Sequence, residues 1–121
     1  MKKTTLILMI VLLGLNLGYS QEKSKSKSFE VKGNCWMCKN RIEKTAIKMK
    51  GVKFASWNVE TKQLKVIIDE RKCSVSDVQK KIASVGHDTG EFASPKEVYD
   101  NLPACCQYRN PESSQMDHGK H

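Results

Sequence analysis

The 121-residue sequence has no uninterrupted apolar run of the twenty or so residues that a membrane-spanning helix requires. The longest, Leu6–Leu15, is already broken by Gly14. No phosphate-binding loop, no placed Ser-His-Asp set and no framed pair of catalytic carboxylates is present, so hydrolysis and phosphoryl transfer lack their usual signatures and no enzymatic role is expected. No internal repeat is evident. The formal charge is +8, yet the lysines are scattered rather than clustered with aromatics. Nucleic-acid binding therefore lacks its footprint. The charge reads instead as a solvated basic surface that favours an acidic partner.

What the N-terminus does have is an address. Lys2 and Lys3 precede the Leu6–Leu15 run, and Gly18, Tyr19 and Ser20 supply small residues before Gln21. This is the pattern of a secretory signal covering residues 1–20. No cysteine lies near that cut, which argues against a lipoprotein anchor. The expected product begins near Gln21 and is periplasmic or secreted, not embedded in the membrane. Loss of two lysines and no acid brings its formal charge from +8 to +6. All five cysteines remain, and in an oxidising compartment they are disulfides, metal ligands or redox thiols.

Periodicity divides the rest. Residues 21–28, QEKSKSKS, carry nothing to bury and read as a flexible polar lead. Phe29 and Val31 alternate with charged neighbours as in a half-buried strand. From Trp36 to Lys50, Cys38, Ile42, Ala46 and Met49 recur at helical spacing, leaving Lys39, Arg41, Glu43 and Lys44 to face water. Two strands follow around ETKQ, the first with Ala55, Trp57 and Val59 inward and the second with Leu64, Val66 and Ile68 inward. Ser74 and Asp77 form a capping box ahead of the stripe Val75, Val78, Ile82 and Val85. HDTGEFA then predicts a short edge strand, and SPKEVYDNL a short helix capped by Ser94 with Pro95 in its first position.

The predicted fold is α+β: a β-α-β-β-α-β ferredoxin-like sandwich, with a four-stranded antiparallel sheet and two helices on one face. The domain proper spans residues 29–93. Residues 94–109 form a short helix and a Cys-Cys extension, and residues 110–121 a disordered tail containing Met116, His118 and His121.

The stretch GNCWMCKNR carries the chemistry. Cys35 ends a loop and Cys38 falls in the first helical turn, so both sulfurs face the positive end of the helix dipole, which favours thiolate. A thiolate pair selects soft ions over Mg or Ca. Two ligands are too few for a closed structural zinc site, which wants four, and leave a site open to exchange.

The segment FEVKGNCWMCKNRIEKTAIKMKGVKFASWNVETKQLKVIID closely resembles the heavy-metal-associated domain of copper chaperones, mercury-scavenging periplasmic proteins and the N-terminal modules of metal-pumping ATPases. The resemblance covers Phe29 to Phe92, and RIEK, VETKQLKV and VGHDT mark it alongside the C-x-x-C. It implies that Cys35 and Cys38 bind a soft metal ion and pass it to a metal-transporting ATPase or efflux component; thiolate softness and the Met116, His118 and His121 tail put Cu(I) ahead of Hg(II) or Zn(II). The protein would act as a monomer or as a metal-bridged dimer. Two departures stand out. The family's Gly-Met-x-Cys is shortened here to Gly33-Asn34-Cys35, with a methionine instead at Met37, and the chain continues to Cys105 and Cys106.

His87 falls in a loop that lies beside the cysteine loop in this family. Third ligand, donor to the thiolates and purely local hydrogen-bonder all stand as readings of it. Adjacent cysteines rarely bond to each other, so Cys105 and Cys106 have three candidate roles. They fold back over Cys35 and Cys38, form a second soft-metal site, or make a disulfide to Cys73 or to the motif. Trp57 reads as core and Trp36 as exposed. A thiol-disulfide redox protein and a purely structural binding module are the competing classes. For the leader, mass spectrometry of the exported product should give an N-terminus near Gln21, and a retained Met1 would refute the assignment.

Overall fold

The computed structural model describes residues 24–115. The signal assigned to residues 1–20, residues 21–23 of the polar lead, and Met116, His118 and His121 lie outside the described residues. The elements are β1 (Ser24–Glu30), α1 (Trp36–Ile47), β2 (Val52–Trp57), β3 (Gln63–Asp69), α2 (Val75–Ser84) and a short α3 (Lys96–Asp100). Two 3-10 turns follow, at Ala104–Cys106 and Pro111–Gln115. None of the described helices is long and apolar enough to cross a membrane.

The alternations and helical stripes do what their periods require. Leu64, Val66 and Ile68 of β3 join Cys38, Ile42 and Ala46 of α1 and Val78 and Ile82 of α2 in one buried cluster. The Ser74 hydroxyl accepts from the Asp77 amide at 3.1 Å, and Asp77 returns the bond to the Ser74 amide at 3.0 Å, closing the predicted capping box. Trp57 is buried, and its indole N–H donates to the Val31 carbonyl at 2.9 Å.

The sheet departs from expectation. It has three antiparallel strands in the order β1-β3-β2 rather than four. Of the strand predicted in HDTGEFA only an isolated bridge, Val31 to Thr89, is formed. Thr89 and Phe92 exchange backbone hydrogen bonds with each other at 2.8 and 3.2 Å, so their groups are spent in a turn and not on a ladder.

β1 begins at Ser24, so residues 24–28 are strand and not flexible lead; Ser24 pairs with Asp69 and Phe29 with Leu64. A strand whose Ser and Lys side chains stay in water shows no apolar alternation, yet its backbone still pairs. Val59 is not inward. The Asn58 side chain accepts from the amides of Glu60 and Thr61, which turns the chain out of β2 after Trp57 and leaves Val59 exposed.

The segment after α2 is bound to the domain by a set of specific contacts. Gly86 has φ +119°, and a Cβ there would meet Leu102 Cδ2 at 2.7 Å, so the missing side chain is the seat of the buried Leu102. The Tyr108 hydroxyl donates to the Gly86 carbonyl at 2.6 Å and accepts from the Asp88 amide at 2.8 Å. Arg109 grips the Asp88 carboxylate with Nε at 3.1 Å and Nη2 at 2.7 Å. Burial pushes the Asp88 carboxyl upward, but the Arg109 guanidinium and the Ser94 amide outweigh it and hold it below the usual carboxylate range.

Ser94 gives that amide to Asp88 at 2.7 Å and does not cap α3, where Pro95 holds the capping position instead. Residues 110–115, assigned to the disordered tail, are ordered: Ser113 is buried and its hydroxyl donates to carbonyls of Gln107 and Asn110. Gly86→Ala adds a methyl against Leu102 in a backbone region that L-residues avoid. It is expected to lower unfolding free energy by roughly 2–4 kcal/mol. An unchanged urea midpoint would show that Gly86 does not seat the extension.

Candidate metal centre

The site is built where the loop after β1 meets α1. The loop passes so close over the core that a Cβ on Gly33 would meet Cys38 Cβ at 3.0 Å and the Trp57 ring at 3.1 Å. That close approach delivers Cys35 to the N-cap of α1 and Cys38 to its first turn. Their sulfurs lie 3.5 Å apart. The Cys38 thiol donates to Asn34 Oδ1 at 3.4 Å, and Asn34 Nδ2 donates to the Ser113 hydroxyl at 2.6 Å, tying the motif loop to the C-terminal segment.

The adjacent cysteines come back over the motif. Cys106 Sγ stands 3.5 Å from Cys35 Sγ, and the sulfurs of Cys35, Cys105 and Cys106 all fall within 4.8 Å of one another. Of the three roles open to Cys105 and Cys106 the fold adopts the first. The five cysteines are all free thiols, and a 3.5 Å separation is far beyond the roughly 2.05 Å of a disulfide. Cys105 points its thiol at Met37 Sδ, 3.6 Å away. Cys73 is buried at the start of α2, where a Cβ on Gly51, past the far end of α1, would meet its sulfur at 3.0 Å. It takes no part in the cluster.

The thiols are not equivalent. Burial pushes Cys35 up, but the amides of Cys38 and Met37 and the neighbouring thiols outweigh it, so its pKa is lowered although no side-chain hydrogen bond caps the helix. Burial wins at Cys38, whose pKa is raised. It also pushes Cys105 up to about 11 and Cys106 up to about 12, against the pull of an Arg41 hydrogen bond on the Cys106 sulfur. Cys35 is thus the thiol readiest to ionise.

His87 is not in the cluster. It is fully buried, stacked on Tyr108 at 5.5 Å between ring centroids. Its Nδ1–H donates to the Lys32 carbonyl at 2.8 Å, since that oxygen only accepts. Nε2 is left as acceptor for Arg41 Nη1 at 3.2 Å. Both ring nitrogens are occupied, and the histidine orients the guanidinium whose influence opposes the rise at Cys106. Arg41 is therefore only half-exposed rather than wholly solvated; so is Glu43, which accepts from the Trp57 amide at 2.8 Å. Trp36 is exposed, as expected. Nothing in the helical spacing separates a solvated arginine from one drawn inward, because the histidine that draws it lies in a distant loop.

A small α+β domain that gathers four thiols and a thioether at a helix N-terminus is, as a class, a soft-metal-binding domain. The comparisons identify it further. The model of the heavy-metal-associated domain matches residues 29–88. The structure of the CopZ metallochaperone is 30% identical, with a TM-score of 0.52, over 54% of this chain and 98% of that one. The Cu(I)-loaded N-terminal domain of a potential copper-translocating P-type ATPase from Bacillus subtilis is also 30% identical, with a TM-score of 0.52, covering 55% and 84%. Oxidized MerP from Ralstonia metallidurans CH34 is 28% identical, with a TM-score of 0.53, covering 55% and 94%. No curated protein sequence matches the chain. The chain belongs to the heavy-metal-associated domain family.

Burial pushes His87 down to about 4, with Arg41 adding to the effect and the Lys32 carbonyl opposing it. The unfolded ring, titrating near 6.5, takes a proton that the folded ring refuses, so its contribution is complete above about pH 6.5 and declines as the pH falls towards 4. The expected loss over that window is about 3 kcal/mol in metal-free, reduced protein. Urea unfolding should show this decline in the parent and not in His87→Gln; a flat parent profile contradicts it.

Proposed function

We propose that the protein is an exported carrier of a soft metal ion, Cu(I) first, which Cys35, Cys38 and Cys106 hold and which leaves by thiolate exchange to an acceptor. The observation that carries this reading is the 3.5 Å approach of Cys106 Sγ to Cys35 Sγ. At a metal–sulfur distance of about 2.3 Å, sulfurs on a linear ion stand about 4.6 Å apart, on a trigonal ion about 4.0 Å and on a tetrahedral ion about 3.8 Å. The separations of 3.5 Å here suit three or four thiolates around one ion better than two on a line. On this reading the open, two-ligand site expected from the motif alone gains a third thiolate.

Exchange is then associative and stepwise. An incoming thiolate displaces the sulfur that is easiest to withdraw, and Cys106, on the extension, is the candidate, leaving Cys35 and Cys38 to hold the ion during the handover. The likeness to an ATPase module supports a metal-pumping ATPase or efflux component as acceptor. The excess of lysine would steer docking to an acidic surface. The leader pattern of residues 1–20 supports export, to the periplasm in a Gram-negative cell. Mercury scavenging is the second reading, favoured by the likeness to MerP and by a donor set equally suited to Hg(II).

The test is an anaerobic Cu(I) titration of reduced protein against a chromophoric chelator. Cys35→Ser with Cys38→Ser should abolish competition, and Cys106→Ser should weaken binding by roughly tenfold or more, about 1.4 kcal/mol. An unaltered affinity in Cys106→Ser removes it from the ligand set. Failure of the parent to compete moves the assignment to thiol-disulfide chemistry.

A further inference from the structure

Five sulfurs meet at this site, and a single ion takes at most four. Their exposure divides them. Cys35, Cys38 and Cys106 are at most 1% exposed. Cys105 and Met37 are only half-buried. Of the five sulfurs, these two are the ones with a face towards solvent.

We propose that Met37 Sδ and Cys105 Sγ, with Cys106 Sγ as a shared bridging thiolate, form a second, outer binding position for a soft monovalent cation, through which ions enter and leave the inner one. The proposal rests on the metal-carrying reading of the inner site.

Geometry supports it first. Cys105 Sγ lies 3.6 Å from Met37 Sδ and 3.9 Å from Cys106 Sγ, edges close to the roughly 4.0 Å expected around a three-coordinate ion with metal–sulfur bonds of about 2.3 Å. The Cys105 thiol already aims its proton at the thioether lone pair, the place an ion would occupy.

Donor chemistry supports it second. A thioether is neutral and soft, so a thioether-thiolate pair favours Cu(I) or Ag(I) and gives little to Zn(II) or harder ions. Charge supports it third. Three inner thiolates around one monovalent ion carry a net charge of −2, and a second monovalent ion at the rim balances the new thiolate it creates at Cys105, so the outer position fills without adding to that excess. Filling the outer position makes metal–sulfur bonds to Met37, Cys105 and Cys106 and releases the single proton that Cys105 holds; no electron moves.

The sequence carries the same feature. The one methionine inside the C-x-x-C is the one that meets Cys105, two residues from one ligand of the motif and one from the other.

The experiment is an anaerobic titration of the reduced protein with Ag(I), followed by native mass spectrometry on the monomer and by chelator competition. The parent should take two ions per chain, the second bound at least about tenfold more weakly than the first. Met37→Leu, which keeps the volume and removes the sulfur, should stop at one ion with the first affinity unchanged within about threefold. Cys105→Ala should also stop at one. A parent that saturates at one ion, a second ion present only in dimers, or two ions retained in Met37→Leu each overturns the proposal while leaving the inner site standing. A parent that binds no ion overturns the carrier reading and this one together.

Discussion

The site depends on one ion pair and the hydroxyl beside it. Asp88 with Arg109, and Tyr108 lodged between the Gly86 carbonyl and the Asp88 amide, fix the chain just after the Cys105-Cys106 turn. Their charges are partly shielded from water, and the Arg109 guanidinium also donates to the Ser94 carbonyl and stacks over Tyr99 at 4.2 Å. Charge-assisted bonds of this partly buried kind are worth more than an exposed surface pair. They act at a distance from the sulfurs. Within the motif the Asn34–Ser113 hydrogen bond and the Met37–Cys105 contact add to them in holding the extension over the C-x-x-C loop.

Closing the site has an electrostatic consequence. Of the three almost wholly buried sulfurs Cys38 and Cys106 resist ionisation, and only Cys35, next to the helix amides, is pulled the other way. A soft cation supplies the positive charge that the interior lacks, so deprotonation and metal capture are coupled. Arg41 contributes a fixed part of that charge, held in place by a histidine that stays neutral because it is buried. The electrostatics of the thiol cluster are thus set partly by residues outside it.

Some of this was legible in the chain. The buried positions of the two helices, the hairpin strands up to Trp57 and from Leu64, and the Ser74 capping box follow from spacing of two to four residues and formed as read, while Val59 and the last turn read for α1 did not. The C-x-x-C at a helix start announced a soft-metal site for the same reason. The failures share a cause. The early start of β1 is invisible because pairing there is purely backbone, and the fourth strand fails because Thr89 and Phe92 close on each other. The inward turn of Arg41 answers to His87, which no local pattern connects with it.

The sequence by itself determined the class of chemistry: thiols at a helix N-terminus, in an α+β frame, with spare cysteines beyond it. Only the tertiary structure decided how many of those thiols share one place. Cys35 and Cys106 are 71 positions apart, and bringing them to 3.5 Å costs chain entropy that no periodicity repays. The repayment comes from Leu102 on Gly86, Tyr108 on the loop and Arg109 on Asp88. Each of these is an unremarkable residue in the linear chain, because what makes it matter is a partner that only the folded backbone presents.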